Sequence, residues 1–310
     1  MKYPDWHRLL LVACVLLVLA GCKQQPLVRT PLATPAFDAT TLQRLHQTHL
    51  LNGDEVLAQK ALLANGSAGA YYTINPYQPA TPLPFLRCAQ DPNCNYSLLG
   101  TGFPKQAFPA RPLVYRWWTS RATDPATAQV CGVKFTDASR TDYVLTTFPN
   151  LDALYATPGY ILTHYQACGA CSSLQDLSVY GELDLTVMGK TCSKRWNLAD
   201  KKACMEQIGF TEPCAEAWAY NAQHTAGSCL AVCVRTYGLM NLLKGTESVP
   251  TNDAQGNLNA CLACDEIMSG PGFQYSAGRT RRDSGIISEI DRPSDQVYDV
   301  PHDYFPPDNQ

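Results

Sequence analysis

Cysteine content is the feature that most constrains how this chain folds. The 310 residues include 14 cysteines, and nine of these lie between Cys168 and Cys264. Reducing compartments keep thiols free, whereas an oxidising compartment joins an even set of cysteines into disulfides. We therefore predict a domain whose second half is stapled by disulfides and whose first half depends more on an ordinary hydrophobic core.

The composition is that of a folded protein. Hydrophobic residues make up 45% of the chain and charged residues 16%, which is enough apolar material to bury a core and excludes wholesale disorder. The formal net charge is -3. A nucleic-acid partner is therefore not expected, because such a partner needs a basic surface. The length suits one large domain or two small ones, and we interpret it as one.

The first 22 residues predict a secretion signal. A basic start precedes an apolar run over residues 9–20, which is shorter than the roughly 20 residues that a membrane span needs. The run ends in the sequence LAGC, whose cysteine is Cys22. This ending resembles the lipobox of bacterial lipoproteins. The resemblance implies cleavage before Cys22 and acylation of that residue as the mature N-terminus; a short transmembrane anchor is the alternative.

The same resemblance carries the expectations for location. Acyl chains on Cys22 would anchor the protein in a lipid bilayer, because one chain binds marginally and two or more bind stably. Lys23 stands where lipoproteins held in the inner membrane have Asp, which implies sorting to the outer membrane, facing the periplasm or the cell surface. Residues 22–37 contain three prolines and few large apolar side chains, a composition that predicts a semi-extended tether.

Hydrophobic patterning predicts an α+β fold for residues 38–290, a disulfide-rich single domain with strands in the middle and helices toward the C-terminus. Two short helices are predicted on either side of Asn52-Gly53. Strands are predicted over residues 113–119, 129–135, 143–148 and 160–165. Further helices are predicted over residues 150–156, 171–180, 199–208, 211–222 and 229–243. Residues 291–310 are predicted to form a polar tail.

The most specific chemical motif is HYQACGAC at residues 164–171, between a predicted strand and a predicted helix. A helix N-terminus lowers the pKa of a nearby thiol and so favours the thiolate that thiol–disulfide exchange needs. The C-G-x-C turn resembles the active site of thioredoxin-like proteins, which implies attack by Cys168 and resolution by Cys171. His164 or Arg281 would then tune the thiolate. Because other cysteines offer many partners, structural disulfides are the favoured interpretation and an oxidoreductase is the alternative.

Two other cysteine pairs carry simpler expectations. Cys88 and Cys94 flank turn-forming residues and are predicted to bond to each other across a short loop. Cys229 and Cys233 are spaced i, i+4 on one helical face, where their side chains run parallel and cannot easily meet. We therefore predict that both bridge to a neighbouring helix.

A metal site is a weaker alternative. Cys168, Cys171, Cys261 and Cys264 offer four thiolates for zinc, and His164 is a substitute ligand. The spacing between the two pairs is far longer than in zinc ribbons, and an oxidising compartment disfavours free thiolates. We therefore expect no metal and no cofactor.

The sequence GRTRRDSG at residues 278–285 concentrates positive charge. Arg279, Arg281 and Arg282, with hydroxyl groups between glycines, are typical of a segment that binds a phosphate, a carboxylate or an acidic glycan. A solvated loop with salt bridges to Asp283 and Glu289 is the favoured interpretation, and an anionic ligand is the alternative.

Function is predicted less firmly than location. No common motif of hydrolases or nucleotide enzymes occurs. The blocks HYQACGACSSLQDLSVY, CLACDE and GRTRRDSG resemble uncharacterised cysteine-rich secreted proteins. This resemblance carries no information about activity. The leading hypothesis is a lipoprotein with a binding or envelope-structural role. An oxidoreductase that uses Cys168 and Cys171 is the first alternative, and a metal-binding protein is the second.

Overall fold

The protein forms an α+β fold with strands in the middle and helices toward the C-terminus, as predicted. The predicted lipid site at Cys22, the Cys88–Cys94 disulfide and the strand over residues 113–119 fall outside the described residues. The computed structural model describes residues 27–65, 77, 128–244, 249–252, 258–287, 289–290 and 297–306.

Four of the described segments pair into one mixed sheet. The strands are β1 (His49–Leu50), β2 (Val130–Phe135), β3 (Asp142–Phe148) and β4 (Ile161–Tyr165). Their order is β1-β3-β2-β4. Strand β2 pairs antiparallel with β3 and β4, and β1 adds parallel to β3. The predictions for β2, β3 and β4 are confirmed to within one residue at each end.

Short helices dominate the rest of the described chain, and most begin at a polar cap whose side chain accepts a backbone N–H of the first turn. The helices are α1 (Ala39–His46), α2 (Gly53–Asn65), α3 (Leu151–Tyr155), α4 (Leu174–Glu182), α5 (Leu185–Ser193), α6 (Leu198–Ile208), α7 (Glu212–Tyr237), α8 (Leu239–Lys244), α9 (Ala260–Met268) and α10 (Gly270–Ala277).

Helix α7 corrects one prediction. The pattern indicated two helices separated near Gly227, whereas the structure has one helix of 26 residues. A side chain at Gly227 would meet nothing within 4 Å, so the packing does not require glycine there. The helix does begin as predicted, with Thr211 before it and a proline in its first turn.

The sheet separates two apolar clusters. On one face Val133, Tyr143 and Leu145 join the main core, which the helices from α4 onward build. On the other face Val130 and Leu162 pack with α3 and with a C-terminal segment. Because both faces of the sheet are covered, β2 is buried over its first four residues.

Both ends of the described chain pack against the domain, in contrast to the predicted tether and tail. Pro31 pairs with Leu183, and Leu32, which is 6% exposed, donates its N–H to the Glu182 carbonyl at 2.8 Å. At the other end Tyr304 is fully buried. From Leu32 onward the segment predicted as a tether contributes to the core, and so does part of the predicted tail.

Each disulfide among the described residues joins two separate elements. The pairs are Cys131–Cys168, Cys171–Cys214, Cys192–Cys204, Cys229–Cys264 and Cys233–Cys261. The last two lie one turn apart between α7 and α9, so they form a two-rung ladder. The prediction that Cys229 and Cys233 bridge to a neighbouring helix is therefore confirmed.

The ladder predicts a non-additive loss of stability. With one rung present, the other closes only a small loop, so removing either rung alone should cost about 2 kcal/mol of unfolding free energy. Removing both opens the long loop as well and should cost about 6 kcal/mol. Urea unfolding of Cys233→Ala/Cys261→Ala, Cys229→Ala/Cys264→Ala and the fourfold variant measures these values.

The matched control removes the separate Cys192–Cys204 bridge between α5 and α6. Its cost should simply add to that of one rung, since distant sites are independent. A fourfold variant that loses only the sum of its two single-rung losses would contradict the ladder.

Candidate functional site

The cysteine loop and the arginine segment, the two motifs to which the sequence assigns candidate chemistry, lie in contact. The loop that contains Cys168 and Cys171 follows β4, and the arginine segment follows α10. Ala170 and Cys171 donate their N–H groups to the carbonyls of Ser276 and Ala277 at 2.9 and 2.8 Å. Gly278, with φ of +74°, makes this approach feasible, because a Cβ there would lie 2.5 Å from the backbone nitrogen of Gly169.

Arg279 lies at the centre of this contact and is fully buried. Its Nε donates to the Cys171 carbonyl at 3.0 Å, and Nη1 donates to the Thr163 carbonyl at 3.2 Å and to Ser284 Oγ at 3.0 Å. Its Nη2 donates to Thr163 Oγ1 at 2.6 Å and to the Ser172 carbonyl at 3.1 Å. A guanidinium has five N–H donors, so every donor of Arg279 has a partner inside the protein. Burial lowers the pKa of the group.

This burial corrects the interpretation of residues 278–285. Neither a solvated loop nor an open anion site describes the arrangement, because Arg279, Arg281 and Arg282 are all buried. The predicted ion pair with Glu289 does form, since Arg281 Nη1 lies 3.1 Å from Glu289 Oε2. Arg281 also donates to the carbonyl of Leu183. Arg279 and Arg281 hold segments of the protein together.

His164 and Ser172 form a closed hydrogen-bonded pair. His164 Nδ1 lies 2.7 Å from the Tyr165 carbonyl, and Nε2 lies 2.7 Å from Ser172 Oγ. Because a carbonyl only accepts, Nδ1 carries a proton, and in the neutral ring Nε2 accepts from Ser172. Ser172 Oγ in turn accepts the Gly169 N–H at 2.7 Å. Both side chains are fully buried, so the pair fixes the loop and does not face solvent.

The structure separates the cysteines that the redox and zinc hypotheses bring together. Cys168 bonds to Cys131 of β2, and Cys171 bonds to Cys214 of α7. Exchange within the C-G-x-C turn would require a bond between Cys168 and Cys171. Cys261 and Cys264 are likewise bonded within the ladder, so the four predicted thiolate ligands do not meet. Over the residues that the structure describes, no three His, Cys, Asp or Glu side chains are grouped to hold a metal ion.

Asp176 joins the starts of two helices. It accepts the Ser173 hydroxyl at 2.5 Å, and Ser173 Oγ accepts the Asp176 N–H at 2.9 Å, so the two side chains together cap the start of α4. The same carboxylate accepts the N–H and hydroxyl of Thr211, the residue before α7, at 2.8 and 2.9 Å. Burial raises the pKa of Asp176 to about 6, although these bonds oppose the shift.

The C-terminal segment closes the site. The hydroxyls of Tyr304 and Thr163 lie 2.9 Å apart, and His302 Nε2 donates to the Ser284 carbonyl at 2.7 Å. Arg140 donates to the Tyr304 carbonyl. Burial lowers the pKa of His302 to about 4 and raises the pKa of Tyr304 to about 12. His302 and Tyr304 therefore stay neutral at physiological pH, and the positive charge beside them is that of the Arg279 guanidinium.

A second, half-buried polar cluster lies where α7, α9 and α10 meet. Thr225 donates to Asp265 and lies 2.7 Å from Ser269 Oγ, which is 3.0 Å from His224 Nδ1. The ring of Tyr77 stacks on His224 at 4.1 Å between ring centroids. Burial raises the pKa of Asp265 to about 6 and lowers that of His224. The cluster cross-links the helices beside the disulfide ladder.

Some members of the central site have a recognisable sequence signal and others do not. His164 and Arg279 lie in conspicuous motifs, and the structure brings both into one site, but in roles that differ from the predicted ones. Asp176 was missed, although Ser173-x-x-Asp176 before an apolar run is a recognisable capping signature. Thr163 had no local signal, because one threonine in a strand is ordinary.

Comparison with known proteins adds a single likeness. A family model described as a family of unknown function (DUF8771) matches residues 198–300, about a third of the chain. Neither the curated proteins nor the solved structures provide a match. The matched stretch contains Arg279 and the whole disulfide ladder, but not β4 or the C-G-x-C loop.

The burial of Arg279 predicts a large loss of stability even from a substitution that keeps the positive charge. Arg279→Lys supplies three donors in place of five and cannot reproduce the planar fork, so buried acceptors lose their partner. We expect a loss of roughly 3 to 5 kcal/mol in the free energy of unfolding, measured in urea. The matched control is Arg235→Lys on the exposed face of α7, which should cost less than about 0.5 kcal/mol. Equal effects would contradict the role of Arg279.

Asp176 predicts a specific pH dependence. Its pKa is about 6 when folded against 3.8 ordinarily, so between these values the folded state binds more protons than the unfolded state. The cost of the buried charge is therefore absent at low pH and complete above pH 6. Relative to Asp176→Asn, the wild type should lose about 3 kcal/mol of stability between about pH 3 and pH 7.

The comparison is made by urea unfolding at both pH values. His302 contributes in the opposite direction in both proteins, so its effect cancels in the difference. Asp54→Asn, which removes an exposed carboxylate from α2, is the control. Parallel stability profiles for wild type and Asp176→Asn would show that Asp176 does not carry this cost.

Proposed function

We propose that the mature protein is a lipoprotein of the bacterial envelope, anchored in the outer membrane through acylated Cys22, with its stapled domain in a binding or structural role. The observation that carries the proposal is the apolar run ending in LAGC at Cys22. The disulfides support it, because five bridges among the described residues require an oxidising compartment such as the periplasm.

The anchor would lie close to the folded domain. Residues 27–32 already run along α4 and α5, where Asp184 donates its N–H to the Thr30 carbonyl at 2.9 Å. Leu27 is five positions beyond Cys22, and extended chain covers at most about 17 Å over that length. The acyl chains would therefore hold the domain near the membrane surface. No helix among the described residues has the length and apolar character to cross a bilayer.

A non-catalytic role agrees with the geometry of the candidate catalytic groups. Cys168 and Cys171 each brace a different element, and His164 is fully buried. An exchange enzyme needs an accessible sulfur that its neighbour resolves. The oxidoreductase and zinc hypotheses therefore lose the arrangement on which they depended.

The anchor predicts that Cys22→Ser abolishes lipid attachment. Cells grown with alkyne-palmitate should label the wild type, whereas the variant should carry no label and should accumulate as a precursor that retains residues 1–21. Cys14→Ser is the matched control, since Cys14 lies inside the predicted signal peptide, and it should label normally. Labelling of Cys22→Ser at the wild-type level, or its normal processing, would overturn the proposal.

The outer-membrane location has its own arm of the same experiment. Density-gradient separation of the two membranes should find the labelled wild type in the outer membrane. Lys23→Asp should move the labelled protein to the inner membrane. A wild type that fractionates with the inner membrane would refute the sorting and leave the lipid attachment standing.

A further inference from the structure

The side chain of Trp196 is almost completely exposed to solvent. It lies in the turn between α5 and α6 and is 95% exposed, the most exposed of the large hydrophobic side chains that the structure describes. An indole left in water loses the favourable burial that aromatic side chains normally contribute. Its exposure is therefore a feature for which a partner should be sought.

The turn holds Trp196 outward by construction. The Cys192–Cys204 disulfide ties the end of α5 to the middle of α6. Lys201 is buried and donates its ammonium to the carbonyl of Ser193 at 2.7 Å and to that of Arg195. These bonds satisfy carbonyls at the C-terminal end of α5 and fix the turn. The indole is thus presented on a braced support.

Positive charge surrounds this position in a chain whose net charge is -3. Residues 190–202 contain one acid, Asp200, and five cations: Lys190, Lys194, Arg195, Lys201 and Lys202.

The cations differ in what they face. The ammonium of Lys201 is turned inward, and Lys202 pairs with Glu212 and lies 4.0 Å from Glu206. Lys194 is exposed and Arg195 is half-buried, directly beside Trp196. The outer end of the turn is therefore cationic as well as aromatic.

The chain that leads from the predicted anchor contacts the end of α4 and the first half of α5. Thr30 donates its N–H to Met188 Sδ at 3.2 Å, and Arg29 pairs with Glu182 at 3.0 Å. Helix α5 has nine residues and is about 13 Å long. The reach of about 17 Å from Leu27 to Cys22 exceeds that length. One bilayer surface can therefore contact both the anchor and the far end of α5.

We propose that Lys194, Arg195 and Trp196, here called the α5–α6 tip, form a second membrane contact on a bilayer with anionic headgroups. The indole enters the headgroup region, where tryptophan is enriched in membrane proteins, and the cations pair with lipid phosphates. The tip orients the domain on the surface to which Cys22 tethers it. The proposal rests on the proposed lipid anchor for its proximity to the membrane.

The test measures where Trp196 lies when the full mature protein is on vesicles. The protein is purified from membranes and reconstituted in phosphatidylcholine vesicles with phosphatidylglycerol, part of the phosphatidylcholine being brominated in its acyl chains. Bromine quenches tryptophan emission at contact. Brominated lipid should lower the tryptophan emission of the wild type. In Trp196→Phe this decrease should be absent. Equal quenching of these two proteins overturns the proposal. Because Trp196 is exposed, the substitution does not disturb the core.

Charge supplies an independent arm. Lys194→Glu/Arg195→Glu should reduce the quenching of Trp196 by about twofold or more, because phosphate attraction becomes repulsion. The matched control is Arg44→Glu/Lys134→Glu, which changes net charge equally at exposed sites on α1 and β2 and should leave quenching unchanged. Quenching that the tip variant retains, or that vesicles without phosphatidylglycerol support equally, overturns the role of the cations.

Two further readouts separate the possible failures. Mass measurement of the lipid on Cys22 in the same sample tests the anchor. Protein without lipid on Cys22 refutes the anchor. If Trp196 of that unlipidated protein is still quenched, the result supports the tip. Lipidated protein with unquenched Trp196 refutes the tip alone. Acrylamide protection of Trp196 in native envelope membranes, without quenching by brominated lipid, would assign the tip to a protein partner and overturn the proposal.

Discussion

The buried guanidinium of Arg279 is the interaction on which the joining of sheet and helices depends. Removing a cation from water is costly, and the cost is offset only when every N–H finds an acceptor. Here the acceptors come from Thr163 on β4, from Cys171 and Ser172 in the loop that follows, and from Ser284 near the C-terminus. A planar fork accepts little misalignment, so these segments must arrive in one arrangement. The side chain thereby specifies how distant parts of the chain meet.

Disulfides supply what the short helices lack. An isolated helix of eight or nine residues is marginal in water, and α4, α5, α9 and α10 are all of this length. The bridges tie α5 to α6 and α9 to α7, so α5 and α9 each gain a covalent neighbour. Asp176 acts in the same sense without a covalent bond, because one carboxylate serves the beginnings of α4 and α7. The long helix α7 is the common support.

Local patterns predicted most of the fold and little of the site. Alternating and β-branched residues located β2, β3 and β4, and apolar periodicity located most of the described helices, because these signals act within a few residues. The break expected near Gly227 was wrong because α7 is held from outside, by Thr225 and the disulfide ladder. An arginine in a sequence is normally interpreted as surface charge. The burial of Arg279 depends on acceptors from distant parts of the chain, and no local pattern contains that information. Proline-rich composition likewise concealed the packing of Leu32.

The packing of Tyr304 beside Thr163 has a consequence for the order of events in synthesis. The two residues are 141 positions apart, and Tyr304 follows every other member of the Arg279 site along the chain. A nascent chain lacks this hydroxyl and the buried ring that carries it until residue 304 has been made. Arg279 therefore cannot be fully enclosed while only the preceding residues exist. The centre that joins sheet and helices is thus completed after all of its other members have been made.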